Sequence, residues 1–204
     1  MIERKFISEK VRDMRVKKYL SKTLKRSAYS NALLQKTPLG MKVIIYTSKP
    51  GLVVGSGGKN IKQISETLQR RFKLENPQIE VSEVKVPELN AQIMCERISF
   101  QIERWGVQRF KKIGYSTSEM IMKAGARGVE ILISGKVPGK RAKRWAFRDG
   151  YLPKAGSVAT YEIANGFTEV LLRPGIIGIR VKIMRPETNM PDEIRILDDE
   201  NKKV

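Results

Sequence analysis

The chain has 204 residues, with 40 Lys and Arg against 21 Asp and Glu and no His, giving a formal net charge of +19. Apolar residues, at 41%, are too many for a disordered basic tail, so the chain folds; its length suits two small domains, and its field requires a polyanion, nucleic acid ahead of an anionic membrane surface. A single Cys and the absence of His exclude an internal disulfide and any Ser-His or Cys-His nucleophile, and leave a zinc site almost no ligands.

No run approaches the 18 apolar residues of a membrane span, and the opening MIERKFISEK lacks the apolar core of a signal peptide. A cytoplasmic protein is expected, with no membrane partner, no cofactor and no metal.

Over residues 2–20, Ile7, Val11 and Met14 recur at helical spacing among Lys and Arg, which predicts an amphipathic helix. Two apolar segments, 32–35 and 41–47, flank Thr37-Pro38-Leu39-Gly40 and predict a hairpin. Pro50-Gly51 opens a short apolar turn, 52–54, before the glycines of GSGG at 55–58. A helix with Ile61, Ile64, Leu68 and Phe72 on one face follows and ends at Asn76-Pro77. Ile79, Val81 and Val84 alternate with polar residues as a strand does. After Pro87, Met94, Ile98, Ile102 and Trp105 mark another helix, closed by Gly106.

The second half opens with a helix over 107–123 carrying Phe110, Ile113 and Met120, although Gly114 weakens it by roughly 1 kcal/mol relative to Ala. Residues 125–128 form a linker or cap, 129–134 an apolar strand, and 176–184 another strand after the Pro174-Gly175 turn. Residues 161–172 carry both helical and alternating spacing and are left unassigned. The tail from Pro186 holds six acids against three bases, a net of −3.

The motif VVGSGGKNI, 53–61, joins a short apolar turn to a longer amphipathic helix. Glycines at 55, 57 and 58 let two helices meet tightly and let a nucleic-acid backbone approach. Amide groups at the start of the second helix suit phosphate oxygens, with Lys59 and Lys62 adding charge. A nucleotide P-loop needs Gly-Lys-Ser or Gly-Lys-Thr after four residues, and a dinucleotide fingerprint needs a strand leading directly into the helix. Neither spacing is met. An isolated GxxG would most often be a plain turn; the two-helix setting and the charge favour RNA at Gly55, Ser56, Gly57, Gly58, Lys59 and Lys62.

The hairpin with VVGSGGKNI and NPQIEVSEVKVPELNAQ resembles the type II K homology domain of the small-subunit ribosomal protein three family, and TPLGMKVIIYTSKPG is similar to its archaeal members in particular. The likeness runs on through KAGARGVEILISGK, KRAKRWAFRDGYLPKAG and LLRPGIIGIRVKIM, covering nearly the whole chain. It implies an α/β chain of the α+β kind, with an N-terminal type II KH domain (αββααβ) over 1–105, a smaller C-terminal α+β domain over 106–185 and an acidic tail over 186–204. It further implies a constituent of the small-subunit head that binds rRNA, packs beside neighbouring head proteins and lines the path by which messenger RNA enters, opening messenger structure on the way. The family often has a basic residue where this chain has Ser56, which lowers the expected affinity of the loop for phosphate. Its messenger-facing basic pair falls on Lys111 and Lys112, and its third basic position on Tyr115.

From the residues alone, Lys111 and Lys112 read as a solvated pair on a surface helix. Lys136, Lys140, Arg141, Lys143, Arg144 and Arg148 lie in one stretch without an acid between them, and such a cluster repels itself unless a polyanion neutralises it, so rRNA phosphates are expected there. Trp145 and Phe147 alternate with the cations; a strand burying one face explains them better than base stacking. Cys95 reads as a small buried filler. Two other functions compete: a lyase using a Lys amine on exposed sugar aldehydes, for which nothing selects a lysine, and a free-standing K homology regulator.

Overall fold

The computed structural model describes residues 2–38, 40–188 and 190–191. Most of the predicted acidic tail lies outside the described residues. Among those described, no helix is long and apolar enough to cross a membrane.

The first half runs α1 (Ile2–Thr23), β1 (Tyr29–Thr37), β2 (Gly40–Thr47), α2 (Pro50–Val54), α3 (Lys59–Phe72) and β3 (Gln78–Glu83). β2 sits centrally, antiparallel to β1 and parallel to β3. It alternates strictly, so Met41, Val43, Ile45 and Thr47 face one way and are buried. They meet Val16, Leu20, Val53, Ile64 and Leu68 from the three helices. The predicted αββααβ order is present.

α1 differs from expectation in the face it buries. Ile7 and Met14 are 62% and 60% exposed, whereas Val16 and Leu20 are fully buried. The last two turns of α1 reach the sheet, and the earlier turns carry their apolar residues past it. Periodicity identifies a face of a helix; it does not say how much of that face another element covers.

The second half contains α4 (Ala91–Trp105), α5 (Phe110–Lys123), β4 (Gly128–Gly135), β5 (Lys143–Gly150), α6 (Gly156–Tyr161), β6 (Ala164–Leu172) and β7 (Gly175–Met184). The strands form an antiparallel sheet in the order β5-β4-β7-β6. Val129, Ile131 and Ile133 of β4 and Ile177, Ile179, Val181 and Ile183 of β7 pack against Ala91, Met94, Cys95, Ile98 and Ile102 of α4 and Phe110, Ile113 and Ile121 of α5. The boundary expected at 105 places α4 with the first domain. Its buried stripe instead belongs to the second core, because four strands present more apolar surface than α5 alone can cover. Trp105, assigned to that stripe, is 48% exposed at the helix end.

The unassigned stretch is strand β6 from Ala164 on, entered by a short turn after Tyr161, the last residue of α6. Helical spacing there was misleading: Phe167 and Leu171 are exposed, while Val170 is buried. A Cβ on Gly166 would stand 2.3 Å from the Ala91 carbonyl oxygen, so the start of α4 sits directly on this edge strand. The side-chain amide of Gln92 then accepts from Phe167 N–H at 3.2 Å and donates to its carbonyl at 3.4 Å, occupying the edge backbone as a neighbouring strand would.

Candidate nucleic-acid interface

The glycine loop is held open by backbone shape. Gly55, Gly57 and Gly58 have φ of 71°, 61° and 74°, values an L side chain adopts at a cost. Gly55 also has no room, since a Cβ would lie 2.7 Å from the Asn60 side chain. Asn60 Nδ2 donates to Leu52 O at 3.1 Å, tying the start of α3 back to α2. Gly57 and Gly58 would meet nothing within 4 Å, so their backbone faces open space. No side chain caps the N-terminus of α3, whose positive end therefore stays available to an anion. Ser56, Lys59 and Lys62 are all exposed beside it. These six residues form one continuous lip.

Lys111 and Lys112 are exposed on the first turn of α5. Lys111 Nζ stands 5.3 Å from the centroid of Trp145, a cation–π contact that fixes the ammonium over β5. One turn on, Tyr115 is 67% exposed and sets its ring edge-on to Phe147 at 5.1 Å. Phe147 is buried, and the Trp145 indole donates to Val137 O at 3.0 Å. Val137 is itself fully buried, so this bond pins the loop carrying Lys136, Lys140 and Arg141 to the strand. All three cations are exposed.

The basic stretch is not one uniform patch. Because Trp145 and Phe147 point towards α5, alternation places Lys143 on the Lys111 side and Arg144 and Arg148 on the opposite face of the sheet. Nor are all six cations unpaired. Arg148 Nε donates to Glu130 Oε1 at 2.6 Å, with Lys154 Nζ at 3.8 Å. Burial alone would raise the Glu130 pKa. The Arg148 hydrogen bond and charge, with Lys154 and Lys182, outweigh that and hold the carboxyl below its usual range. This acid is not visible from the basic stretch itself because it lies on β4, eighteen residues away, and the β4–β5 register opposes Glu130 to Arg148. Alternation on both strands was the available signal.

Among the described residues, no group of three His, Cys, Asp or Glu could hold a metal. Burial pushes the Cys95 thiol up to about 12, far from a reactive thiolate.

The comparisons agree with this geometry. The KH domain family matches residues 15–89, and the family described as Ribosomal protein S3, C-terminal domain matches 98–183. Small ribosomal subunit protein uS3 of Methanobrevibacter smithii is 46% identical over 97% of this chain and 78% of that protein. The uS3 of Methanocaldococcus jannaschii is 41% identical over 98% of this chain and 95% of its own length. That of Methanoculleus marisnigri is 40% identical over the whole of this chain and 86% of the relative. These relatives are ribosomal proteins rather than enzymes, which removes the lyase alternative. With two family matches in order and relatives of such identity along nearly its whole length, the chain belongs to the small ribosomal subunit protein uS3 family.

Proposed function

We propose that this RNA-binding ribosomal protein sits in the head of the small subunit, holds rRNA through its glycine lip and the 136–148 segment, and grips incoming messenger RNA with Lys111 and Lys112. The observation that carries the messenger reading is the exposure of both lysines on the first turn of α5, one of them steadied over Trp145. Adjacent ammonium groups grip successive phosphates without base preference, as a channel open to every sequence requires. Tyr115 replaces a third charge with an exposed ring, so the grip is weaker and a base can slide across it. The protein holds messenger and helps to open its secondary structure, beside neighbouring head proteins in the cytoplasm.

The test uses purified ribosomes carrying Lys111→Ala and Lys112→Ala, translating a template with a stable hairpin and an unstructured control. Slowing confined to the hairpin supports the reading, and equal rates on both templates overturn it. Loss of the protein from the particle would instead place these lysines on rRNA.

A further inference from the structure

A groove of about 620 Å³ lies between the two cores, walled by α1, the start of β1, the start of α4, β6 and Arg185. Its size falls within the ~300–1,000 Å³ range of ligand-sized pockets. No acidic residue lines it, whereas Lys17, Lys18 and Arg185 do. Polar groups on its floor are already used. Asn90 Oδ1 caps α4 by accepting from Gln92 N–H, while its Nδ2 donates to Ser30 Oγ at 2.6 Å. Gln92 is committed to the backbone of Phe167. At the rim, Phe167 is 51% exposed and the Arg180 guanidinium stands 5.9 Å from its ring centroid. An exposed aromatic on an edge strand, supported by a cation, has no packing role in either core.

We propose that this groove is a second RNA site, separate from the glycine lip, which takes a short unpaired strand. Phe167 stacks one base, and Lys17, Lys18 and Arg185 hold the adjoining phosphates. The inference rests on the reading that the chain binds RNA, and it assigns a site to residues outside both the glycine lip and the 136–148 segment. An exposed ring on a groove lined by three cations fits a nucleotide, which carries a flat base and an anion on one unit. An acidic peptide would satisfy the cations and leave the ring unused.

The test is fluorescence anisotropy with an oligouridylate on the full chain, in the wild type and in a background carrying Ser56→Asp and Gly57→Asp. Phe167→Ala should lower affinity by about five- to tenfold in both backgrounds, as expected when one stacking ring is removed. Phe167→Tyr should keep it. Lys17→Gln with Lys18→Gln should flatten the slope of log affinity against log salt by roughly 0.7 for each phosphate that is no longer held. Photocrosslinks from the labelled oligonucleotide should map to the α1 and β6 peptides, also where the glycine lip has been changed. Unaltered affinity in the Phe167 and lysine variants, with crosslinks confined to the lip and β5, overturns the proposal and leaves the lip reading intact. A glutamate-rich peptide that binds the wild type and fails to bind the lysine variants, while the oligonucleotide is unaffected, also overturns it by making the groove a peptide site. If instead the lip variant binds normally and the groove variants do not, the groove stands and the lip reading fails.

Discussion

A Cβ built on Gly114 would lie 2.7 Å from the ring of Phe147, so helix α5 closes on edge strand β5 because position 114 carries no side chain. Phe147 is 5% exposed and joins the second core through that contact. The intrinsic cost of glycine in a helix, about 1 kcal/mol relative to Ala, is therefore offset by packing. Gly114→Ala should lower unfolding free energy by about 1–3 kcal/mol despite the better helix propensity, because the ring has to be displaced. Urea denaturation measures it, and a higher midpoint would mean that the aromatic stack yields freely.

Arg148 and Glu130 make a sign-defined prediction about acid. The Glu130 carboxyl is held below its usual range, so its contribution to stability is present above the ordinary carboxylate pKa and is lost as pH falls through the depressed value. Arg148→Ala leaves a nearly buried carboxylate with Lys154, at 3.8 Å, and Lys182 as its remaining charge partners, and should cost about 1–3 kcal/mol near neutral pH. The gap between variant and wild type should narrow in acid. Adding Glu130→Gln should recover part of the loss, and a thermal-melt series from pH 3 to 7 reads all three.

The glycine lip and the helix order of the first domain were legible because they depend on local chemistry: Pro and Gly at turns, apolar spacing along α3, alternation along β2. What remained hidden depends on residues far apart in sequence. Cover over α1 is decided by where the sheet ends, so the expected Ile7 and Met14 face is exposed. The allegiance of α4 follows from the four-stranded sheet beneath it, whose edge strand β6 carried two conflicting periodicities. The neutralisation of Arg148 is a matter of strand register, which no count of neighbouring charges along the chain contains.

The lip itself separates two kinds of glycine. Ser56 and Gly57 are exposed, and a Cβ on Gly57 would meet nothing within 4 Å; its φ of 61° lies in the left-handed region that Asp tolerates better than most residues. Ser56→Asp with Gly57→Asp should thus leave far-UV circular dichroism unchanged and weaken RNA binding about tenfold or more, by setting two carboxylates against phosphate. Gly55→Ala differs, because its Cβ would collide with Asn60. That variant should lose thermal stability together with binding. If the Asp pair binds RNA like the wild type, the loop is a turn and nothing more.

Glu96 lies where the two cores meet, beside the Gln92 side chain and the Tyr29 backbone. Its Oε2 is buried with no hydrogen-bond partner. Burial pushes its pKa up to about 8, against the smaller lowering effects of those two neighbours and of Lys25. Tyr29 is in turn pushed up to about 12, by burial first and then by the Glu96 charge, and the buried Cys95 thiol feels that charge as well. The folded protein therefore holds a proton on Glu96 that the unfolded chain releases near 4.5, the ordinary glutamate value. A raised pKa contributes stability that is complete below the unfolded value and is lost as pH rises through the folded one. The window runs from about pH 4.5 to about pH 8. Glu96→Gln keeps the shape and a hydrogen-bonding amide without the charge, so it should match the wild type near pH 5 and exceed it at pH 8. With solvent screening allowed for, the excess should be about 1–3 kcal/mol. Urea midpoints taken across that window measure the divergence, and a constant offset between the two proteins from pH 5 to pH 8 would show that Glu96 stays ionised in the folded state.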